Sequence, residues 1–185
     1  MTFVLLVLVL FNLMSCVKRA LAFTTYRGFG PYRSVTRRYL TTNILIVGKK
    51  TAGEAWIAEG CQDYEKRLRP TMTVGTKFLK TDEELIKAVS AIQEKKGLVM
   101  ALDELGTQYS SRDFSKLVFD SLVEGGSQLS LVIGGAPGLP KELRASLPLI
   151  SLSKMTWTHQ HARLLVYEQL YRAAEIHKGS KYHKD

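Results

Sequence analysis

Residues 129–138 read LSLVIGGAPG, an apolar run that ends in a pair of glycines. Residues 129–133 have the length and the branched apolar content of a buried β-strand. Glycines directly after such a strand permit unusual backbone angles and let a ligand approach the main chain, although an ordinary tight turn has the same pattern. The stretch is neither a P-loop nor a dinucleotide fingerprint, because no Lys-Ser or Lys-Thr pair follows and the glycine spacing differs.

Similar apolar segments on either side predict further strands, at residues 44–47, 71–78, 98–102 and 149–151. Helical patterns separate them: an apolar stripe from Ile57 to Leu68, a helix behind a Thr81 to Glu84 capping box, a helix capped by Ser110 or Ser111, and helices near residues 141–146 and 160–177. Strands that alternate with helices predict one α/β domain with a mainly parallel sheet, whose strand ends are the natural place for a ligand.

Three polar or glycine-containing segments follow the third, fourth and fifth predicted strands, at residues 102–106, 134–138 and 152–157. Asp103 and Glu104 carry carboxylates, but neighbouring residues at a strand end point in different directions, which favours a turn or helix-cap role over paired acid and base work. The four histidines have neither an HExxH spacing nor an accompanying cysteine cluster, so we expect no metal site.

The first 42 residues predict a targeting leader. Residues 1–22 contain an apolar run too short for a conventional membrane span and end in Ala-Leu-Ala, the small, spaced side chains that a signal peptidase accepts. Residues 23–42 are rich in arginine and hydroxyl side chains and lack carboxylates, as transit peptides do. We therefore expect the domain to comprise residues 43–185; the alternative is one uncleaved membrane anchor.

A signal segment followed by a transit segment resembles the bipartite leaders of proteins that enter algal plastids of secondary origin. We expect a plastid (chloroplast) location, with the mitochondrion as the alternative, and no stable membrane association after processing. The leader also carries much of the charge. The chain has 26 basic and 17 acidic residues, but six of the basic residues precede Asn43, which leaves the domain a net charge of +3 rather than +9. Global charge is therefore weak evidence for nucleic acid binding.

Single residues outside these segments indicate less. Cys61 is the one cysteine after the leader, and without a partner it reads as a buried core residue. Glu168 and Arg172 have the spacing of a solvated helical ion pair. Residues 178–184 interleave cations with Tyr and His, which suits phosphates and stacked bases, although a frayed terminus has the same composition.

The stretches LVIGGAPGL (131–139), SLSKMTWTHQHARLLVYEQLYRAAEIHKG (151–179) and KYHKD (181–185) resemble the ribosomal RNA large subunit methyltransferase H family. LDELGTQYSSRDF, NILIVGK and YEKRL match it as well, so the resemblance covers residues 43–185. It implies a SPOUT-type α/β domain with a mainly parallel sheet, helices on both faces and a C-terminal trefoil knot, which no periodicity argument predicts. It also implies a homodimer whose interface helps to shape each active site.

The resemblance also leads us to expect a particular enzymatic activity. The resemblance implies an S-adenosylmethionine-dependent enzyme that methylates N3 of a pseudouridine in the decoding-centre stem-loop of large-subunit rRNA, in assembled ribosomes. Two rivals remain: a non-catalytic ribosome-binding protein of the same fold, and a SPOUT methyltransferase that acts on tRNA. The intact match in residues 152–157 disfavours the first, and the C-terminal pattern disfavours the second.

Carried over by position, the resemblance implies site residues in the three segments already described. The expected cofactor contacts are Leu102, Gly134, Leu152, Ser153, Lys154, Met155, Thr156 and Trp157. His159 is the candidate general base for the N3 proton, because imidazole changes charge near neutral pH; its other possible roles are a hydrogen bond in the knot or a contact to RNA. The expected RNA contacts are Arg163, Tyr182, His183 and Lys184.

Two positions depart from the family's pattern. Thr158 stands where the family often has proline, and residues 136–138 vary a turn that commonly carries an acidic or polar residue. Because Thr can cap a helix, the first change is expected to alter the entry to the last helix slightly. Neither departure argues against the expected cofactor, but either could alter the positioning of the substrate.

Overall fold

The structure, a computed structural model, describes residues 40–49 and 55–184. The strands are β1 (Leu40–Val47), β2 (Met72–Leu79), β3 (Leu98–Gln108), β4 (Gln128–Ile133) and β5 (Leu149–Ser151). The helices are α1 (Ala55–Leu68), α2 (Asp82–Glu94), α3 (Ser111–Glu124), α4 (Lys141–Ser146) and α5 (His159–His177). The expected signal segment and residues 23–39 of the expected transit segment lie outside the described residues. Within the described ranges, no helix combines the length and apolarity that a membrane crossing needs.

The five strands form one sheet in the order β2-β1-β4-β3-β5, and every neighbouring pair is parallel. Side chains alternate between its two faces, as the pleat requires. In β1, Ile44 and Ile46 join a core formed with α1, α3 and α5, whereas Leu45 joins a second core formed with α2 and α4. The predicted α/β domain with helices on both faces is therefore confirmed, and the trefoil knot stays a prediction.

Three helices begin directly after the capping residues that the sequence predicts. Thr81 caps α2 by accepting a hydrogen bond from the Glu84 N–H at 3.3 Å, and Ser110 caps α3 through the Asp113 N–H at 3.1 Å. Thr158 caps α5 by accepting from the His161 N–H at 3.3 Å. Each cap satisfies a backbone donor that the first turn leaves without a partner. Thr158, which stands where the family often has proline, therefore caps α5.

The first strand begins earlier than the sequence predicted. Residues 40–42 belong to β1, although their hydroxyl-rich composition had placed them in the leader. Thr42 is fully buried, pairs with Val74 of β2 and Leu129 of β4, and donates a hydrogen bond to the Met72 sulfur at 3.8 Å. A β-branched residue suits a central strand even when it carries a hydroxyl, so composition alone misplaced the strand's start.

The third strand is longer than predicted because it contains a bulge. Both Leu102 and Thr107 pair with Ile150 of β5, so residues 103–106 loop out between them. Gly106 permits this geometry, because a Cβ there would lie 2.6 Å from the Ile150 carbonyl carbon. The bulge moves Asp103 and Glu104 away from regular pairing, toward the end of the sheet.

A protein that begins at Asn43 is expected to be less stable than one that begins at Leu40. The shorter protein loses the pairing of three residues with β2, the pairing of two with β4, and the burial of Thr42. We expect the free energy of unfolding, measured in urea, to fall by roughly 2 kcal/mol or more. Coincident unfolding curves for the two proteins would show that residues 40–42 add nothing to the sheet.

Candidate functional site

Three adjacent strands bring the predicted site segments to one edge of the sheet. β3 lies between β4 and β5, and Leu102 pairs with both Ile133 and Ile150. Because all three strands run in the same direction, the bulge of residues 103–106 in β3 lies beside the segments that follow β4 and β5. Segments that are far apart in the sequence therefore meet at the carboxyl ends of neighbouring strands, where parallel α/β sheets bind their ligands.

An open cavity of about 250 Å³ lies at this edge. Its lining includes the candidate base His159 and seven of the eight expected cofactor residues: Leu102, Gly134, Leu152, Ser153, Met155, Thr156 and Trp157. The eighth, Lys154, lies on the loop but not in the lining. The structure thus brings the expected cofactor residues together, while their contacts with a cofactor stay predictions.

The glycine turn forms one wall of the cavity and has a structural reason of its own. A Cβ at Gly134 would collide with the Gly138 carbonyl and lie 2.6 Å from the Leu139 nitrogen. The Gly138 N–H donates to the Gly135 carbonyl at 3.0 Å, and Gly138 has a φ of +92°, which favours glycine. The tight-turn interpretation of this motif is therefore confirmed, and contact of the same glycines with a ligand stays a prediction.

The loop of residues 152–157 is held by its own serine side chains. Ser151 donates a hydrogen bond to the Ser153 carbonyl at 2.8 Å, which tightens the exit from β5. Ser153 Oγ in turn accepts from the Met155 N–H and from the Trp157 indole N–H, each at 3.0 Å. Trp157 is 42% exposed and Met155 is 69% exposed. The loop thus presents a fixed indole ring and a flexible thioether at the cavity, both suited to a flat apolar ligand.

The bulge in β3 contributes charge to the cavity. Asp103 accepts hydrogen bonds from the Leu105 N–H at 3.0 Å and from Arg144 Nε at 2.8 Å, while Glu104 accepts from the Thr156 hydroxyl at 2.7 Å. The turn role predicted for Asp103 is confirmed. Sequence reasoning missed Arg144, because a lone arginine on a short helix gives no signal before the fold places it at the cavity.

His159 is the first residue of α5 and lines the same cavity as the glycine turn. Its imidazole lines the cavity and faces the end of β1, where a Cβ on Gly48 would lie 3.3 Å from Nε2. From the sequence, Gly48 is recognisable only as the residue that closes the first predicted strand. A side chain at that position would crowd the ring, so the glycine leaves room for His159 to reach the cavity.

Arg163, an expected RNA contact, is inside the protein rather than on its surface. It is 5% exposed, and its guanidinium carbon lies 5.0 Å from the centre of the Phe78 ring. It also approaches Cys61, whose thiol pKa is raised by burial and lowered to a smaller extent by the Arg163 charge. RNA contact does not fit this position, because helical spacing places Arg163 on the face of α5 that packs toward the sheet. Cys61 is a buried core residue, as predicted.

The C-terminal tail packs on the far half of α5. The Tyr182 ring meets the Tyr171 ring edge-on at 4.9 Å, and Arg172 lies 5.0 Å from the Tyr182 ring centre and 3.5 Å from His183 Nδ1. Burial, and after it the Glu168 carboxylate, raises the pKa of the Tyr182 hydroxyl. Lys184 is exposed. Tyr182 therefore stays a neutral phenol at physiological pH, in a tail that is docked rather than frayed.

Throughout residues 40–49 and 55–184, no group of three or more His, Cys, Asp or Glu side chains is arranged to hold a metal ion.

Comparison with known proteins places these features in a family. The family described as "Predicted SPOUT methyltransferase" matches residues 40–183. The ribosomal RNA large subunit methyltransferase H of Protochlamydia amoebophila is 40% identical over 145 residues, which cover 78% of this chain and 99% of the relative. The protein of the same name from Prochlorococcus marinus is 39% identical over 144 residues, covering 77% and 94%.

Similarity to solved structures is more distant. A probable methylase family protein from Haemophilus influenzae aligns with a TM-score of 0.48 at 13% identity, over 80% of this chain and 71% of that protein.

Gly134→Ala is expected to destabilise the protein, because the new Cβ overlaps backbone atoms that cannot move aside. We expect the free energy of unfolding to fall by roughly 2–4 kcal/mol in urea denaturation. Gly75→Ala is the matched control, since a Cβ there meets nothing within 4 Å, and it is expected to leave stability unchanged or raised by up to about 1 kcal/mol. Equal effects of the two substitutions would contradict the close approach at Gly134.

Proposed function

Because this chain belongs to the ribosomal RNA large subunit methyltransferase H family of SPOUT methyltransferases, we propose that it is an S-adenosylmethionine-dependent rRNA methyltransferase. We further propose that it methylates N3 of a pseudouridine in the decoding-centre stem-loop of organellar large-subunit rRNA, in assembled ribosomes. The observation that carries the proposal is the convergence of three family-matched segments on one cavity, at the ends of β3, β4 and β5.

The residues of this cavity fit the proposed cofactor. The turn at Gly134 lets a ligand approach backbone donors and acceptors, and Leu102, Leu152 and Trp157 offer apolar surface to a flat base. Recognition through the backbone and apolar side chains also explains why no charged motif in the sequence indicates the cofactor. When bound, S-adenosylmethionine supplies a methyl group that its sulfonium already makes electrophilic, so the protein's main task is alignment.

His159 is proposed as the general base. His159 lines the same cavity as the predicted cofactor residues, which supports a role close to the reacting atoms. N3 of pseudouridine carries a proton that must leave as the new N–C bond forms, and His159 would accept it. A positioned base of this kind contributes roughly 10²- to 10⁴-fold to the rate.

A homodimer is proposed because the tail and the cavity of one chain are far apart. His159 opens α5, and Arg172, which holds the tail, lies 13 residues further along, about 20 Å at the helical rise. For Tyr182, His183 and Lys184 to contact RNA at a cavity, a second chain must bring its tail there. Trp56 is 54% exposed beside the first turn of α5, and its ring meets His161 at 5.4 Å, which gives such a partner an apolar contact.

The cellular location also remains a proposal. The leader expected over residues 1–42 favours import into a plastid, with the mitochondrion as the alternative. Either compartment contains its own ribosomes, so the proposed substrate is available in both. Folding of residues 40–42 into β1 means that cleavage of the leader before Leu40 would leave the sheet whole.

Incubation of the protein with labelled S-adenosylmethionine and unmodified ribosomes, free rRNA or tRNA tests the proposed substrate. We expect label in large-subunit rRNA of assembled ribosomes, mapped to N3 of one pseudouridine. Ribosomes with uridine at that position are the control that shows whether pseudouridine must form first. Label in tRNA alone would favour a tRNA methyltransferase, and no label with retained ribosome binding would favour the non-catalytic rival.

His159→Ala is expected to slow methyl transfer roughly 10²-fold or more in single-turnover assays while ribosome affinity is kept. His161→Ala is the control, because His161 is two residues away but is not part of the cavity lining. If His159→Ala methylates at the normal rate and binds ribosomes normally, His159 is not the base.

A further inference from the structure

Arg144 and Asp103 form an ion pair at the edge of the cavity that the proposed mechanism does not use. The Asp103 side chain is only 3% exposed, although it belongs to the bulge at the end of β3. One of its carboxylate oxygens accepts from the Leu105 N–H, and the other accepts from Arg144 Nε at 2.8 Å. A carboxylate with both oxygens engaged by fixed donors is held in one orientation, and it holds the arginine in turn.

The outer face of the Arg144 guanidinium is accessible to a ligand in the cavity. The side chain is 41% exposed and lines the cavity, and Nη2 lies beside the turn, where a Cβ on Gly138 would be 3.5 Å away. Asp103 takes only the Nε donor, and within the described residues no hydrogen bond engages Nη1 or Nη2. A guanidinium has five N–H donors in a planar fork that suits the two oxygens of a carboxylate, so donors remain for a ligand.

We propose that Arg144 binds the α-carboxylate of the methyl donor and that Asp103 is the positioning residue that orients it. This inference rests on the proposed function. The charges of the cavity support it: two carboxylates, Asp103 and Glu104, stand with one guanidinium. S-adenosylmethionine carries the complementary set, with a sulfonium and an α-ammonium as two positive groups and the α-carboxylate as one negative group. Complementary charges of this kind favour one orientation of a bound ligand.

An RNA phosphate is the other anion that a guanidinium could bind, and the surroundings disfavour it. Phosphate backbones bind where several cations cluster, because each contact neutralises one charge of a polyanion. Arg144 has Asp103 at 2.8 Å, and Glu104 lines the same wall, so the net charge at this corner is negative. A single carboxylate on a molecule of net positive charge fits better.

Two ligands that differ only in the amino-acid end test the assignment. S-adenosylhomocysteine keeps the α-carboxylate, whereas methylthioadenosine keeps the adenosine and the thioether but has no amino-acid end. In calorimetric titrations of the full chain, Arg144→Gln is expected to weaken S-adenosylhomocysteine binding roughly tenfold or more, as loss of a charged hydrogen-bonding partner does. Methylthioadenosine affinity is expected to change less than about twofold, because this ligand has no carboxylate for Arg144 to bind.

Three further variants separate positioning from a structural effect. Arg144→Lys keeps the charge but loses the fork and is expected to weaken S-adenosylhomocysteine binding less than Arg144→Gln does. Asp103→Asn is expected to weaken it as well, again with methylthioadenosine unaffected. Arg69→Ala is the control, because Arg69 follows α1 and its side chain is 70% exposed. It is expected to change neither affinity.

Each other outcome overturns the inference. Equal losses for both ligands would show that Arg144 shapes the adenosine pocket, and unchanged S-adenosylhomocysteine affinity with weaker ribosome binding would assign it to RNA phosphate. If the unsubstituted protein binds neither ligand, the proposed function fails together with this inference. If it binds both and Arg144→Gln does not discriminate between them, only this inference fails.

Discussion

The parallel pairing of β3 between β4 and β5 is the constraint on which the site depends. Leu102 is in register with Ile133, the last residue of β4, and with Ile150 of β5, so the bulge in β3 opens at the level where β4 ends and β5 is one residue from its end. Parallel neighbours cannot be joined by a short hairpin, which is why the segments that meet here are so far apart in the sequence. A shift of one residue in either pairing would exchange the β3 side chains that enter the two cores, Met100 on one face and Val99 and Ala101 on the other, and would displace the glycine turn from the loop of residues 152–157.

The features of this fold that depend on neighbouring residues in the chain are predictable from the sequence. The order of strands and helices, the caps at Thr81, Ser110 and Thr158, and the meeting of three loops follow from periodicity, short-range hydrogen bonding and the parallel-sheet rule. The family resemblance then supplied what no pattern contains, namely the cofactor and the expected reaction.

What the sequence did not predict depends on tertiary contacts. The bulge in β3 arises where Gly106 meets the β5 backbone, and Arg144 matters only because α4 places it against that bulge. The start of β1 at Leu40 and the burial of Arg163 also depend on tertiary contacts, because both are decided by neighbours remote in the chain.

Helix α5 connects the two regions to which the proposed function assigns roles. His159 lies at the cavity at the start of this helix, and the C-terminal tail is docked on its far half. A single chain therefore separates the proposed chemistry from the proposed RNA contacts, and a second chain would reunite them.

A crystal structure of the protein with S-adenosylhomocysteine would show whether the cavity beside β3, β4 and β5 binds the cofactor. We expect the adenosine to lie in the cavity against Leu102, the Gly134 turn and residues 152–157, where the bulge in β3 meets the carboxyl ends of β4 and β5. A ligand bound at any other place on the domain, with this cavity filled only by solvent, would contradict this expectation.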